Sequence, residues 1–364
     1  MASSASNGYL LIADISGYTS YVATTEIEHS QAVLAELLEL LIKHTRPLFT
    51  LSKLEGDAIF SYTPQDRISS GEVLLQLVES TYAAFRSRVE SILRHTTCEC
   101  NACRAIPRLD LKFMIHYGQY IRQQVAGIHE LLGSDVNLIH RLTKNSVSES
   151  TGWHAYALFT EAACRMLDLS TQGLHPETAV YEHLGQIMTH SLNLRERYDE
   201  MLATRKVIVQ PEESHGHYVV DLPAPPPVVW EWLTDPHKRN LWQPGNIWSA
   251  ANRPGGRTEI GASNHCAHGK DELAEEIIRD WHPFDYYTVE VHAHVGQDGH
   301  PIDNLETVTL ESLNDNQHTR ATFRCRMLNP SPLSRPLAWV IYNQIMKKGF
   351  RLLSQKLSED GSPL

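Results

Sequence analysis

Residues 9–15 read Tyr-Leu-Leu-Ile-Ala-Asp-Ile, an apolar run whose single charge is Asp14. Ser16-Gly17 breaks the run into a polar turn, so the segment is expected as a buried strand that delivers a carboxylate at its end. Val33, Leu34, Leu37, Leu38, Leu41 and Ile42 then recur at helical spacing until Arg46-Pro47 stops the helix. Residues 48–53 and 58–62 pattern as two strands around Leu54-Glu55-Gly56-Asp57, a hairpin with glycine at its bend. Val73, Leu74, Leu77, Val78, Phe85, Val89 and Ile92 give a second amphipathic helix. Residues 109–117 and 120–126 look like a further strand pair around Gly118, and 136–142 begin a third helix. This order of elements implies an α+β sandwich, with helices on one face of a mainly antiparallel sheet.

The chain is 364 residues long, and at roughly 150 residues per domain it calls for two cores. Hydrophobic residues make up 42% and charged residues 21%, a globular composition. The net charge of −11 opposes non-specific binding to nucleic acid or an anionic membrane. Residues 1–7 have neither a basic start nor an apolar stretch, and no segment offers about 18 uninterrupted apolar residues, so a cytoplasmic protein without a membrane span is expected. Composition shifts after Leu184-Gly185. Residues 1–190 are expected as the first domain, 191–214 as a charged linker helix ending in a polar breaker, and 215–364 as the second domain. The second contains a strand at 218–221, the helix entry Pro223-Ala-Pro-Pro-Pro227, strands at 275–280, 286–294, 306–313 and 319–327, and a long amphipathic helix at 337–357.

Three motifs carry chemistry. Leu11-Ile-Ala-Asp14-Ile-Ser-Gly17-Tyr-Thr19 closely resembles the first-strand motif of class III nucleotidyl (adenylate/guanylate) cyclases. Lys53-Leu-Glu-Gly56-Asp57 resembles the hairpin motif of that family, and Gly133-Ser-Asp-Val-Asn137-Leu-Ile-His-Arg141-Leu142 its third motif. His116-Tyr-Gly118 and Tyr181-Glu-His-Leu-Gly185 add to the likeness. Each motif alone is weak, because an Asp beside Gly is usually a turn residue and a helical Arg is usually solvated. Their order, spacing and placement on strand, hairpin and helix give the resemblance its weight.

The resemblance implies a ferredoxin-like cyclase domain and a division of labour. Asp14 and Asp57 would bind two Mg²⁺ or Mn²⁺ ions, with Ile15 lending its main-chain carbonyl. Lys53 and Glu130 would read the base, Asn137 would orient the ribose, and Arg141 would stabilise charge on the transferring phosphate. The spacing of four puts Asn137 and Arg141 on one helix face. Glu130 stands where adenylyl cyclases usually carry Asp or Thr. It can accept from an exocyclic amine, which favours adenine and leaves the base open. Asp135 reads as a helix-start residue before a ligand. The family's sites form between two such domains, so a homodimer with two equivalent sites is implied.

Cys98, Cys100 and Cys103, near His95, lie in an insertion relative to the cyclase pattern. They are weighed evenly as a second metal or redox site, with Zn²⁺ needing a fourth ligand from His95, His116 or a partner, and as incidental thiols. The second domain resembles the START-like (SRPBCC, polyketide cyclase-like) helix-grip family in its strand, Pro-rich turn and Trp-rich helix, then Trp242, strands and a last helix. That implies a cavity for a hydrophobic small molecule. Trp230, Trp232 and Trp242 read as core before pocket wall, and His265, His268, His292 and His294 as strand histidines before metal ligands.

The leading expectation is a phosphorus-oxygen lyase that makes a cyclic nucleotide, ATP to cAMP favoured, and pyrophosphate, regulated by the second domain. A catalytically weak nucleotide-binding sensor coupled to the same ligand domain is the alternative. An enzyme of polyketide-cyclase type in the second domain comes third, since no acid/base pair presents itself there.

Overall fold

The computed structural model describes residues 5–24, 27–95, 101–125, 127–203, 206–243, 245–268, 272–295, 300–314, 316–330 and 346–360. The chain divides into two compact units, Met1–Ala203 and Thr204–Leu364. Among the described residues no helix is long and apolar enough to cross a membrane.

In the first unit β1 (Ser6–Ser16) leads through α1 (Tyr18–Thr24) and α2 (Ile27–Thr45) to the hairpin β2 (Thr50–Glu55) and β3 (Ala58–Pro64). Then come α3 (Gly71–His95), α4 (Asn101–Ala105), β4 (Asp110–Val125), β5 (Ile128–Leu132), α5 (Ser134–Leu142) and α6 (Val147–Thr151). β6 (Tyr156–Thr160), α7 (Glu161–Met166), β7 (His175–Tyr181), β8 (Gly185–Asn193) and α8 (Leu194–Ala203) complete it. The sheet runs β2-β3-β1-β4-β6-β8-β7, with β5 paired to the far end of β4. Its first four strands are all antiparallel neighbours in the ferredoxin-like order, as expected. β4 and β6 are parallel, joined by a crossover that contains α5.

Strand alternation sorts the core into two layers. Leu10 and Ile12 cluster with Phe60, Met114 and the Val136, Ile139 and Leu142 face of α5. Leu11, Ala13 and Ile15 point the other way, and the buried Leu37 and Leu41 of α2 and Leu74, Leu77 and Val78 of α3 serve that side. Helices therefore cover both faces, which corrects the one-faced sandwich. The reason is visible in β1: a strand apolar at nearly every position needs a layer above and below it. A second correction concerns Gly118. It bends nothing, because β4 is one strand of 16 residues that passes straight through it.

The second unit comprises β9 (Gly216–Leu222), α9 (Pro226–Thr234), α10 (Pro236–Trp242) and the strands β10 (Ile247–Asn252), β11 (Ser263–His268) and β12 (Glu272–His282). β13 (Tyr286–Val295), β14 (His300–Leu313), β15 (His318–Met327) and α11 (Lys347–Asp360) follow. Its sheet is an antiparallel meander, β10-β11-β12-β13-β14-β15, closed at one edge by β9. Burial alternates residue by residue along β15, so one face turns inward and the other outward. Trp230, Trp232 and Trp242 all join the inward core with Trp281, Tyr287, Phe350, Leu353 and Leu357, as core rather than as a pocket wall. Asp235 caps α10 by accepting from the His237 and Lys238 amides, with Pro236 at the first helical position.

Candidate nucleotide site

Asp14 stands on β1 opposite Ala58 of β3 and Lys112 of β4. The β2–β3 turn is two residues long, and Gly56 has φ +71°, a conformation that glycine takes at no steric cost. The turn delivers Asp57 beside Asp14, because the Ile15 amide donates to the Asp57 carbonyl at 3.1 Å. The Ile15 side chain is buried on the opposite face, so only its backbone borders the acids.

The electrostatics of this pair are unfavourable as they stand. Burial, then the charge of Asp57, push the Asp14 carboxyl up to about 6, against the pull of Lys112. Burial also raises Asp57. Two half-buried carboxylates that repel one another, with one lysine for relief, form a place that favours a cation. Hard oxygen donors of this kind fit Mg²⁺ or Mn²⁺. Among the described residues no group of three or more His, Cys, Asp or Glu side chains is placed to hold a metal ion.

Asn137 and Arg141 lie together on the exposed side of α5, away from its core face. The Arg141 guanidinium donates to the Glu182 carbonyl at 3.4 Å. Among the described residues no hydrogen bond or ion pair joins Asn137 or Arg141 to Asp14 or Asp57. Lys53 is exposed, with its ammonium 3.1 Å from Glu55. Glu130 is exposed on β5, paired in register with Gln123, and β5 lies in contact with β2. Thus the hairpin turn brings Asp57 beside Asp14, and among the described residues no hydrogen bond or ion pair ties Lys53, Glu130, Asn137 or Arg141 to either of them.

Three features escaped sequence reasoning. Lys112 faces Asp14 across the β1–β4 ladder and lies over the Tyr156 ring at 5.5 Å, a relation that only register reveals. His140 Nδ1 stands 3.2 Å from the same Glu55 that holds Lys53, so α5 is tied to the hairpin. Burial lowers the His140 pKa against the pull of Glu55. Asp135, in the first turn of α5, accepts from the Gln119 amide at 2.7 Å, with His116 Nε2 at 3.3 Å from its other oxygen. His116, then the amide, hold its carboxyl below the usual range despite burial. A Cβ on Gly118 would fall 2.4 Å from the Asp135 carboxyl carbon. Gly118 is where α5 sits down on β4.

Cys98 and Cys100 lie outside the described residues, as does the Cys103 side chain. In the second unit His265 lies 3.7 Å from Glu275, and His292 Nδ1 lies 2.8 Å from Asp303, its register partner. The side chains of His268 and His294 lie outside the described residues.

Residues 34–151 match the model of a family described as a protein of unknown function (DUF2652). The uncharacterized protein Rv2561/Rv2562 of Mycobacterium tuberculosis is 34% identical over 162 residues, which cover 44% of this chain and 73% of that protein. The chain belongs to the same family as Rv2561/Rv2562. Among solved structures, a bacterial light-regulated adenylyl cyclase is similar over 53% of each chain, at 12% identity and a TM-score of 0.40. This chain thus spans about half of that cyclase's length. The adenylyl cyclase CyaB from P. aeruginosa is similar over 53% of this chain and 96% of its own, at 15% identity and a TM-score of 0.38.

Proposed function

We propose that the first unit is a homodimeric class III nucleotidyl cyclase that converts a nucleoside triphosphate, ATP in the first instance, into a cyclic nucleotide and pyrophosphate. One observation carries the reading: Asp14 and Asp57 converge from a strand and a hairpin turn and are both raised by burial, an arrangement that makes sense around bound cations. Two divalent ions held there would lower the pKa of the ribose 3′-hydroxyl and neutralise phosphate charge. Asp14 and Asp57 would hold the ions, and the Ile15 backbone borders them. Asn137 orients the ribose, and Arg141, always charged, meets negative charge that grows on the phosphate. Lys53 and Glu130 face the base, with Glu55 fixing where the Lys53 ammonium stands.

Because, among the described residues, no hydrogen bond or ion pair joins Asn137 or Arg141 to the acids of their own chain, the reading assigns them to the site of a second copy. Each dimer then has two equivalent composite sites. The second unit, an antiparallel sheet with its C-terminal helix packed into the inward face, suits a helix-grip, START-like regulatory domain for a hydrophobic ligand. A cytoplasmic enzyme fits this reading.

The test is direct. Purified protein incubated with each of the four NTPs and Mg²⁺ or Mn²⁺ is expected to yield a cyclic product, detected by mass spectrometry. No product from any NTP, with ATP still bound, would instead select a nucleotide sensor without turnover.

A further inference from the structure

The outward face of the second unit's sheet carries an open groove of about 600 Å³. Its floor is the β9–β15 pair, where Asp221 lies opposite Arg320, Val219 opposite Thr322 and His217 opposite Arg324. These side chains face away from the core, since Ala321, Phe323 and Cys325 of β15 occupy the inward positions. Pro211 and Ser214 line the groove's edge. That wall is fixed to the sheet: the Val207 amide donates to Asp280 at 2.7 Å, the Val209 amide to Thr307 at 2.9 Å, and the His215 amide to the Cys325 carbonyl at 2.8 Å.

The charges in the groove are unevenly satisfied. Arg320 makes a two-pronged bond with Asp221 at 2.8 and 3.0 Å, and Arg326 lies 3.3 Å from Glu213. Arg324 stands half-buried between them. Among the described residues neither it nor His217 across the ladder has an acid or a hydrogen-bond acceptor. In a chain with net charge −11, a concave guanidinium left without an acid, with an imidazole N–H donor across the ladder, is selective for an anion from outside. A guanidinium fork matches the two oxygens of a carboxylate or phosphate. The neighbouring Val219 is 47% exposed and offers an apolar seat. The volume lies in the range of small-molecule sites and exceeds what a bare inorganic ion fills.

We infer that this groove binds an organic anion of metabolite size, with its carboxylate or phosphate between Arg324 and His217 and its apolar part on Val219. The site is distinct from any cavity enclosed by the inward face, and all of its lining residues belong to the second unit.

Ligand-observed saturation-transfer NMR on the full chain tests this with phenyl phosphate, benzoate and benzyl alcohol. At least one of the two anions is expected to bind saturably and the alcohol not to bind, and the comparison of anions identifies the head group. Arg324→Gln is expected to weaken anion binding roughly tenfold or more, the usual effect of losing charge-assisted bonds. Asp221→Asn, which releases Arg320 into the groove, is expected to strengthen it. Arg141→Ala is expected to leave it unchanged, which separates this groove from the nucleotide site. Thermal unfolding of each variant checks its fold. No binding by either anion, equal binding by the alcohol, binding indifferent to both groove variants, or binding lost with Arg141→Ala would each overturn the inference.

Discussion

At neutral pH Asp14 carries a charge that the protein alone disfavours. Folding raises its pKa from the usual 3.8 to about 6, first by burial and then through Asp57. An acid raised in this way adds stability below its unfolded pKa and loses that contribution as the pH climbs from about 4 to about 6. Asp14→Asn is therefore expected to be more stable than the parent at pH 7.5, by about 1–3 kcal/mol or several degrees in Tm, with no gain near pH 3.5. Mg²⁺ or Mn²⁺ is expected to raise the parent's Tm at pH 7.5 and to leave the variant's unmoved. Scanning fluorimetry at both pH values measures all of this, and a variant no more stable at pH 7.5 would mean that the acids are neutralised in another way. Asp14 and Asp57 could be placed from sequence at the end of an apolar run and after a hairpin glycine, and it is the motif resemblance that singles them out as a pair. Lys112 and His140 could not, since their partners are 98 and 85 residues away in the chain and only pairing in space brings them close.

Among the elements, α5 carries Asn137 and Arg141, and its seat on β4 depends on Gly118 and Asp135. Gly118→Ala is expected to push the Asp135 carboxylate off the Gln119 amide and cost about 1–3 kcal/mol, although an alanine within a strand is ordinarily harmless. In an Asp135→Ala background the same change is expected to cost little, so the two effects should fail to add. Denaturant unfolding of the four proteins measures the coupling, and strict additivity would contradict the proposed seat. The two large helices, the hairpin and α5 stand where the sequence pattern puts them, because hydrophobic periodicity and turn residues are local. The same pattern misread Gly118 as a bend, because glycine marks both turns and close approaches, and only the second is true here.

The end of the first unit follows the same logic. Leu194 is fully buried and Tyr198 nearly so, and Arg195 bonds Asp110 at 2.7 Å, so α8 packs on the first unit. A truncation after Ala203 is expected to unfold cooperatively near the parent's Tm. One after His190, which strips part of β8 and all of α8, is expected to lose several kcal/mol through the two apolar side chains alone. Equal stability of the two truncations would remove α8 from the unit's core.

For the whole molecule, the central claim is that a nucleotide site needs two chains, and subunit mixing tests it most directly. On the proposed reading, Asp14→Ala removes an ion-holding carboxylate from one half-site, and Arg141→Ala removes charge stabilisation from the other, at a cost of roughly 10²–10³ in rate for the arginine. Each homodimer is expected to be nearly inactive. A heterodimer of the two variants has one site with both lesions and one with neither. Co-expressed with different tags and purified as the mixed species, it is expected to recover about half of the parent's cyclase activity per dimer, since one of two sites is intact. A mixed dimer as inactive as its parents would contradict the composite site.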